Sequence, residues 1–400
     1  MNKRKKRNRI TVGNKPKRLV ILLAAGFSRN KGFPLGKDLN TKISNLEDHD
    51  FDFGDNQNVY KFLIAIIRHY NFSIEKGNFN YEDLFDAVDL KYNINNRTFD
   101  INNEEYRKLS EPYRTEFFTH EQLVSCLPII LNSVILSIIS DDGKRNIIDM
   151  GHCEPNSYSR YANFIKFLEI ESKQNIIEIF TLNHDLFIDT FRNITGLENK
   201  ICDGFDDYNS TYYGTFFCNE GERRCKLERY TARYYRPIRI YKLHGSFDYF
   251  PFYKKIETGG IPLAVPHRYV KLKPGIHPLY LSKFNRRTME YEDSLPPHAN
   301  PDFLSGTEIK QAKYNNPFLY TKLFKKFKKK LSQANQVIII GYGAKDEGIN
   351  KIMYDAVNNT ANVTIFNYSP DDDVYDLQKS LGAEIITGEF DEKILNLLNA

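Results

Sequence analysis

Tryptophan is absent from this 400-residue chain, methionine occurs four times, and none of the five cysteines forms a Cys-x-x-Cys pair. The missing pairs remove the usual framework of a zinc knuckle. Cys202, Cys218 and Cys225 could meet in space, but at a spacing unlike a knuckle's, so no metal is expected. An odd cysteine count in a long chain without a secretory leader points to free thiols in a reducing compartment, and a cytoplasmic location is expected. Long uninterrupted apolar runs are also missing. The stretch nearest to membrane-spanning length, Leu123 to Ile139, is broken by Ser125, Pro128, Asn132, Ser133 and Ser137 and reads as a buried helix, so no membrane contact is expected. No internal repeat is visible.

Acidic residues are missing from the first 18 positions, which hold nine basic side chains. The whole chain has 56 Lys and Arg against 51 Asp and Glu, so 47 face 51 in the remainder and the folded part is mildly acidic. The segment 1–17 reads as a basic flexible tail. It could be a solubilising leader, or touch nucleic acid or an acidic partner through unspecific charge attraction. With 41% apolar and 14% aromatic residues, the rest can build a sizeable core, which excludes wholesale disorder.

Six short apolar runs of strand length punctuate the chain: 18–25, 176–181, 238–243, 336–341, 363–368 and 383–387. Continuous apolar runs suit strands covered on both faces, so an α/β protein with a Rossmann-like open parallel sheet is predicted. Between the first two runs the apolar residues recur at three- and four-residue steps, predicting an inserted helical subdomain over 57–173. The catalytic domain is then 18–56 with 174–392. A small hairpin is predicted between Tyr208 and Pro237, and a lid or interface without clean periodicity over 251–315. The lysine-rich stretch around Phe324–Leu331 could meet a membrane or nucleic acid, but reads better as the solvated face of a helix leading into the run at 336.

Chemistry-bearing residues gather at the ends of these runs, where open α/β sheets place ligand groups. Ala24-Ala25-Gly26-Phe27-Ser28 offers small residues and helix-start N–H groups to a phosphate. Thr181-Leu182-Asn183-His184-Asp185 offers an amide and a carboxylate, which could equally cap a helix. Lys242-Leu243-His244-Gly245-Ser246 offers an imidazole suited to taking a proton near neutral pH. Gly341-Tyr342-Gly343-Ala344-Lys345-Asp346 offers glycines that let a nucleotide lie against the backbone, and Asn367 could reach a ribose. Whether His152 or Cys153 joins them is open.

This set, with Gly32-Phe33-Pro34, resembles the sirtuin-like fold in order and spacing. It is most similar to the prokaryotic branch that hydrolyses NAD in defence against phages. Phe79-Asn80-Tyr81-Glu82-Asp83 and Asp203-Gly204-Phe205 also look like that branch. The departures are informative. The family's Gly-Ala-Gly is Ala24-Ala25-Gly26 here, its Asp-Phe-Arg is replaced by Leu35-Gly36-Lys37, and the glutamine of deacylating sirtuins is Leu182. The two Cys-x-x-Cys pairs of deacylases are missing, so the resemblance implies NAD binding and speaks against protein deacylation.

What the resemblance implies is an NAD glycohydrolase acting by NAD depletion, with a non-catalytic NAD or ADP-ribose sensor or scaffold as the other reading. Asn183 would orient water or the ribose hydroxyls, His244 would be the base, and Asp185 would support them. Ala25, Gly26, Phe27, Ser28, Pro34, Thr181, Gly245, Gly341, Tyr342, Gly343, Asp346 and Asn367 would hold the dinucleotide. Implied partners are further copies of the chain and a HerA-like hexameric ATPase that makes most of any DNA contact; a short Argonaute-type protein is the alternative.

Overall fold

The computed structural model describes residues 16–73, 79–88, 103–139, 155–218, 221–258, 261–273, 276–294, 301–302 and 319–399. Most of the basic tail, His152 and Cys153 lie outside these described residues. Each of the six apolar runs forms a strand of one parallel sheet, whose order is 384–387, 362–367, 336–340, 18–23, 176–181, 238–242 and 201–202. The seventh strand, Ile201–Cys202, is too short for sequence periodicity to show.

Side chains alternate across this sheet, as strand geometry requires. Leu19, Ile21 and Leu23 pack on one face with Phe164, Phe167 and Phe187, while Val20 and Leu22 pack on the other with Leu323, Phe327 and Met353. The helix Tyr320–Leu331 therefore buries Leu323, Phe324, Phe327 and Leu331 on the sheet; Lys322, Lys325, Lys328 and Lys329 are exposed as predicted, whereas Lys330 reaches the buried Glu178 and Lys326 lies over the Tyr234 ring.

A second core belongs to helices. Residues from Gly36–Ser44, Gln57–Ser73, Tyr81–Val88, Glu104–Ser110 and His120–Ile139 form one apolar cluster, joined from the sheet side by Phe247. Leu39 and Ile43 thus pack with this cluster although they precede residue 57. Phe164, Phe167 and Leu168 of the helix Ala162–Glu171 pack on the sheet instead. The helix His120–Ile139 has the length and composition to cross a membrane, yet half of it is buried against its neighbours.

The stretch expected to be an aperiodic lid is largely strand. Tyr249–Thr258 and Ile261–Lys271 pair antiparallel, and Ile276–Asn285 pairs with Tyr212–Cys218 of the predicted hairpin and with Glu290–Asp293. Prolines hid these strands. The strand Ile261–Lys271 meets Glu228–Arg233 through Val270 and Lys271 alone, so Pro262 and Pro266 pair on one side only, opposite Glu257 and Tyr253, as strand prolines at a sheet edge do.

The chain leaves the central strand Arg18–Leu23 toward Ile176–Thr181 on one side and later adds Gln336–Ile340 on the other. Such a reversal opens a crevice at the carboxyl ends of the strands. Register makes those ends level. Leu23 pairs with Thr181 and Ile340, and Thr181 with Lys242. Asn183 and His244 each sit two residues beyond a paired position, hence on neighbouring loops at the same height.

Two glycines hold this rim together. The Gly26 N–H donates to the Gly341 carbonyl at 3.0 Å. A Cβ on Gly26 would lie 2.6 Å from Gly341 Cα, and one on Gly341 2.5 Å from Gly26 carbon. Both are needed for two loops to touch. Gly343 differs, since its Cβ would meet nothing nearer than Lys345 Cγ at 3.9 Å. Gly26→Ala should therefore lower the urea-unfolding free energy by about 1–3 kcal/mol through overpacking. Gly343→Ala should leave it within about 0.5 kcal/mol, and equal losses in the two variants would refute the distinction.

Candidate active site

A cavity of about 1220 Å³ opens at the strand ends. Among the residues proposed from sequence, Ala25, Gly26, Ser28, Pro34, Asn183, Asp185, His244, Gly341, Tyr342, Gly343, Asp346 and Asn367 line it. Phe27, Thr181 and Gly245 are not among its lining residues. Phe27 is 1% exposed and packs edge-on against Tyr161 and Phe164, because an aromatic ring one residue past the loop glycine turns into the sheet core. Buried Thr181 uses its hydroxyl to accept from the Asn183 N–H at 3.0 Å. Gly245 supplies the turn after His244, with φ +85°, a value that favours glycine.

Asn183 is fixed with its amide nitrogen inward. Nδ2 donates to the Ala24 carbonyl at 3.1 Å and to Ser28 Oγ at 2.8 Å. A carbonyl can only accept, so this orientation of the amide is unambiguous. Oδ1 is left as the acceptor for a water or hydroxyl, while Nδ2 is used inside the protein.

Ser28 links this amide to Asp185, with which it shares a hydrogen bond. Asp185 Oδ1 also accepts from the Phe187 N–H at 2.9 Å, the local turn that a capping aspartate makes. Burial raises the Asp185 carboxyl above its ordinary value, and the attraction of Lys242 and its hydrogen bonds only partly offset this. A raised carboxyl makes ionisation costly to the fold, so its effect on stability is least harmful at low pH and worsens as pH rises through the folded value. Asp185→Asn keeps the turn and removes that cost. Its urea midpoint at pH 7 should equal or exceed the parent's, and a clearly lower midpoint would count against this account.

His244 is 5% exposed, and its Nε2 lies 3.4 Å from Asp346 Oδ2. The His184 ring sits 6.2 Å away and lies, tilted, 6.0 Å from Phe247, the side chain seated in the helical core. The two loops bearing Asn183 and His244 are thereby braced from the helical side. Asn367 lines the cavity, but its amide serves the backbone, donating to the Tyr342 carbonyl and accepting from the Ser369 N–H, both at 3.0 Å. Tyr342 is 4% exposed with its hydroxyl on Asn350, so its backbone rather than its ring faces the cavity.

Beneath these loops lies a group of buried charges that sequence reasoning missed. Lys271 Nζ is 2.9 Å from Asp189 Oδ1, 2.7 Å from Asp203 Oδ2 and 3.2 Å from Asp248 Oδ2. Lys242 Nζ is 2.7 Å from Asp189 Oδ2 and donates to the Asp185 carbonyl and to Ser246 Oγ. Arg192 reaches Asp203 at 2.9 Å. Lys242 therefore ties the Asn183–Asp185 loop to the His244–Ser246 turn. Burial alone would raise Asp189, but Lys242 and Lys271 bring it down to about 2; Lys271 and Arg192 likewise hold Asp203 well below the carboxylate range against its burial. The available signal was the repeated pairing of a charged residue with a strand end, as in Lys242 and Asp248 around His244.

The cavity also takes residues from the helical cluster, Leu39, Tyr81, Glu82 and Ile139. Among the described residues, no group of three or more His, Cys, Asp or Glu side chains could hold a metal ion.

No family model and no curated protein matches the sequence. Among solved structures, the chain is similar to a Sir2 homologue in complex with NAD, at 10% identity, TM-score 0.38, over 96% of this chain and 89% of the other. It is also similar to a Sir2 enzyme studied for mechanism and regulation, at 11% identity and TM-score 0.38, over 96% and 92% of the two chains. A sirtuin studied for substrate affinity gives 11%, TM-score 0.37, and 96% and 95%. Similarity at this level bears on neither ligand nor activity.

Proposed function

We propose that this cavity binds NAD and hydrolyses the bond between nicotinamide and ribose, releasing nicotinamide and ADP-ribose. The observation that carries this reading is that Asn183 and His244 line one cavity at the reversal of the sheet, the amide locked with its oxygen available and the imidazole set against a carboxylate. The resemblance of the strand-end motifs to NAD-hydrolysing sirtuin-like proteins supports the choice of substrate.

Nicotinamide leaves as a neutral molecule when the ring nitrogen takes the electron pair of the broken bond, so no strong acid is needed. What the chain must supply is a positioned water and a base. Asn183 Oδ1 accepts one hydrogen of the water, whose oxygen forms the new bond to C1′. His244 takes the proton lost from that water. Asp185, through Ser28, holds the Asn183 amide in place. Backbone groups of the loops at Gly26 and Gly343 lie along the cavity wall for the pyrophosphate and adenosine.

Depletion of NAD as an anti-phage response, assembly with further copies and activation by a HerA-like ATPase all extend this reading and rest on the motif resemblance alone. The test is incubation of the purified protein with NAD, alone and with a HerA-like ATPase, followed by chromatography. Equimolar nicotinamide and ADP-ribose are expected. Tight NAD binding with no nicotinamide released under either condition would instead favour a sensor or scaffold. NAD loss that required an acyl-lysine peptide would favour a deacylase.

A further inference from the structure

We propose that Asp346 is a positioning residue for His244, selecting which ring nitrogen carries the proton, and that the loop before it is shaped to deliver this carboxylate. Its bearing on catalysis rests on the NAD-hydrolase reading; the geometry does not.

Asp346 has two distinct contacts. Oδ1 accepts from the Ile349 N–H at 3.0 Å, capping the helix Glu347–Ala356. That bond fixes the carboxylate plane and turns Oδ2 toward His244 Nε2, 3.4 Å away. The two side chains are only 6% and 16% exposed, so water competes little for the contact. An ionised carboxylate can only accept, and beside Nε2 it favours the tautomer with the proton there, leaving Nδ1 as the proton acceptor of the ring.

The backbone on the way is unusual. Ala344 has φ +54°, in the left-handed region that non-glycine residues seldom enter. Such strain persists only where surroundings enforce it. Here Asn350 Nδ2 donates to the Ala344 carbonyl at 2.7 Å, and the Tyr342 hydroxyl reaches Asn350 Oδ1 at 2.8 Å and the Asp346 carbonyl at 3.1 Å. The brace closes the 342–346 loop onto its own helix and places Asp346 over His244. A residue meant only to cap a helix needs none of this.

The experiment uses the full chain labelled with nitrogen-15 at histidine, with long-range proton–nitrogen spectra at pH 8 and His244 assigned by its loss in His244→Gln. The parent protein should show His244 with its proton on Nε2. Asp346→Asn is the informative variant, because asparagine also caps helices. Its Oδ1 keeps Ile349 and its NH2 then faces Nε2, so the proton should move to Nδ1. A proton on Nδ1 in the parent, or the same tautomer in both proteins, overturns the proposal.

For NAD turnover, Asp346→Asn should lower kcat about 10- to 1000-fold, below the loss seen when a triad aspartate is replaced, with KM within about threefold. A raised KM with unchanged kcat would make Asp346 a nucleotide ligand instead. If the parent releases no nicotinamide, the hydrolase reading fails while the spectra still decide the pairing.

Discussion

Replacing His244 with alanine is expected to lower nicotinamide release from NAD by about 10²–10⁴-fold, the range set by loss of a positioned general base. The loss should fall on kcat. The imidazole is nearly buried at the end of a strand and faces Asp346, apart from the Gly26–Gly341 backbone contact, so its removal leaves that contact in place. Binding of NAD, read by calorimetry in the inactive variant, should stay within about threefold of the parent. Asn183→Ala is the matched comparison. It removes both the acceptor Oδ1 and the Nδ2 bonds to Ala24 and Ser28, so it should lose turnover and also loosen the loop. Full activity in His244→Ala would remove the base from the scheme and, with it, the reason for placing water chemistry at this rim.

The largest effect on stability is expected from Lys271→Met. Methionine fits the alkyl stem, but Asp189, Asp203 and Asp248 then lose the ammonium they share. Removing one member of a buried ionic group leaves charge uncompensated in a medium that solvates it poorly, at a cost of about 3–5 kcal/mol. The dependence on pH gives this prediction a signature. Asp189, at about 2, and Asp203, lower still, are more acidic folded than unfolded, so their contribution is fully present above the ordinary aspartate range. It is lost as pH falls toward their folded values. Parent stability should therefore decline steeply between about pH 4 and pH 2, where unfolded aspartates take up protons first. Lys271→Met should start lower and decline less, so that the two urea midpoints converge in acid. A constant gap across that window would show that the lysine acts through packing alone.

This buried group bears on function by its location. Lys242 fastens the Asn183 loop to the His244 turn, and Lys271 neutralises the aspartates beneath both. Ions cost more to bury than apolar side chains of the same volume, so such a group is a poor way to gain stability. Its rigid geometry does suit a site in which an amide and an imidazole must keep a fixed separation.

Much of the architecture was legible in the order of residues. Strands covered on both faces are largely apolar, which made 18–23, 176–181, 238–242, 336–340 and 362–367 visible as runs, with the more exposed edge strand 384–387 beside them. Because parallel strands end on one edge, the motifs that follow them had to converge there. Asn183, His244 and the glycine loops could thus be placed on one edge from sequence, while the roles given to them came from the family resemblance. Antiparallel strands beyond residue 249 stayed hidden, since partial exposure and proline erase the alternation that marks a strand.

Other decisions belong to three dimensions, because they depend on which atoms meet across long gaps in sequence. Gly26 and Gly341 are separated by most of the chain, yet each is a glycine because the other's backbone occupies the space of a Cβ. Phe27 packs in the core, and Asn367 spends its amide on a neighbouring loop. The facing of Asp346 and His244, and the salt links of Lys271 to three distant aspartates, follow from strand register and loop closure. Hydrophobic pattern is a local property that sequence displays directly; the pairing of polar groups is set only when the folded chain brings them within a few ångströms.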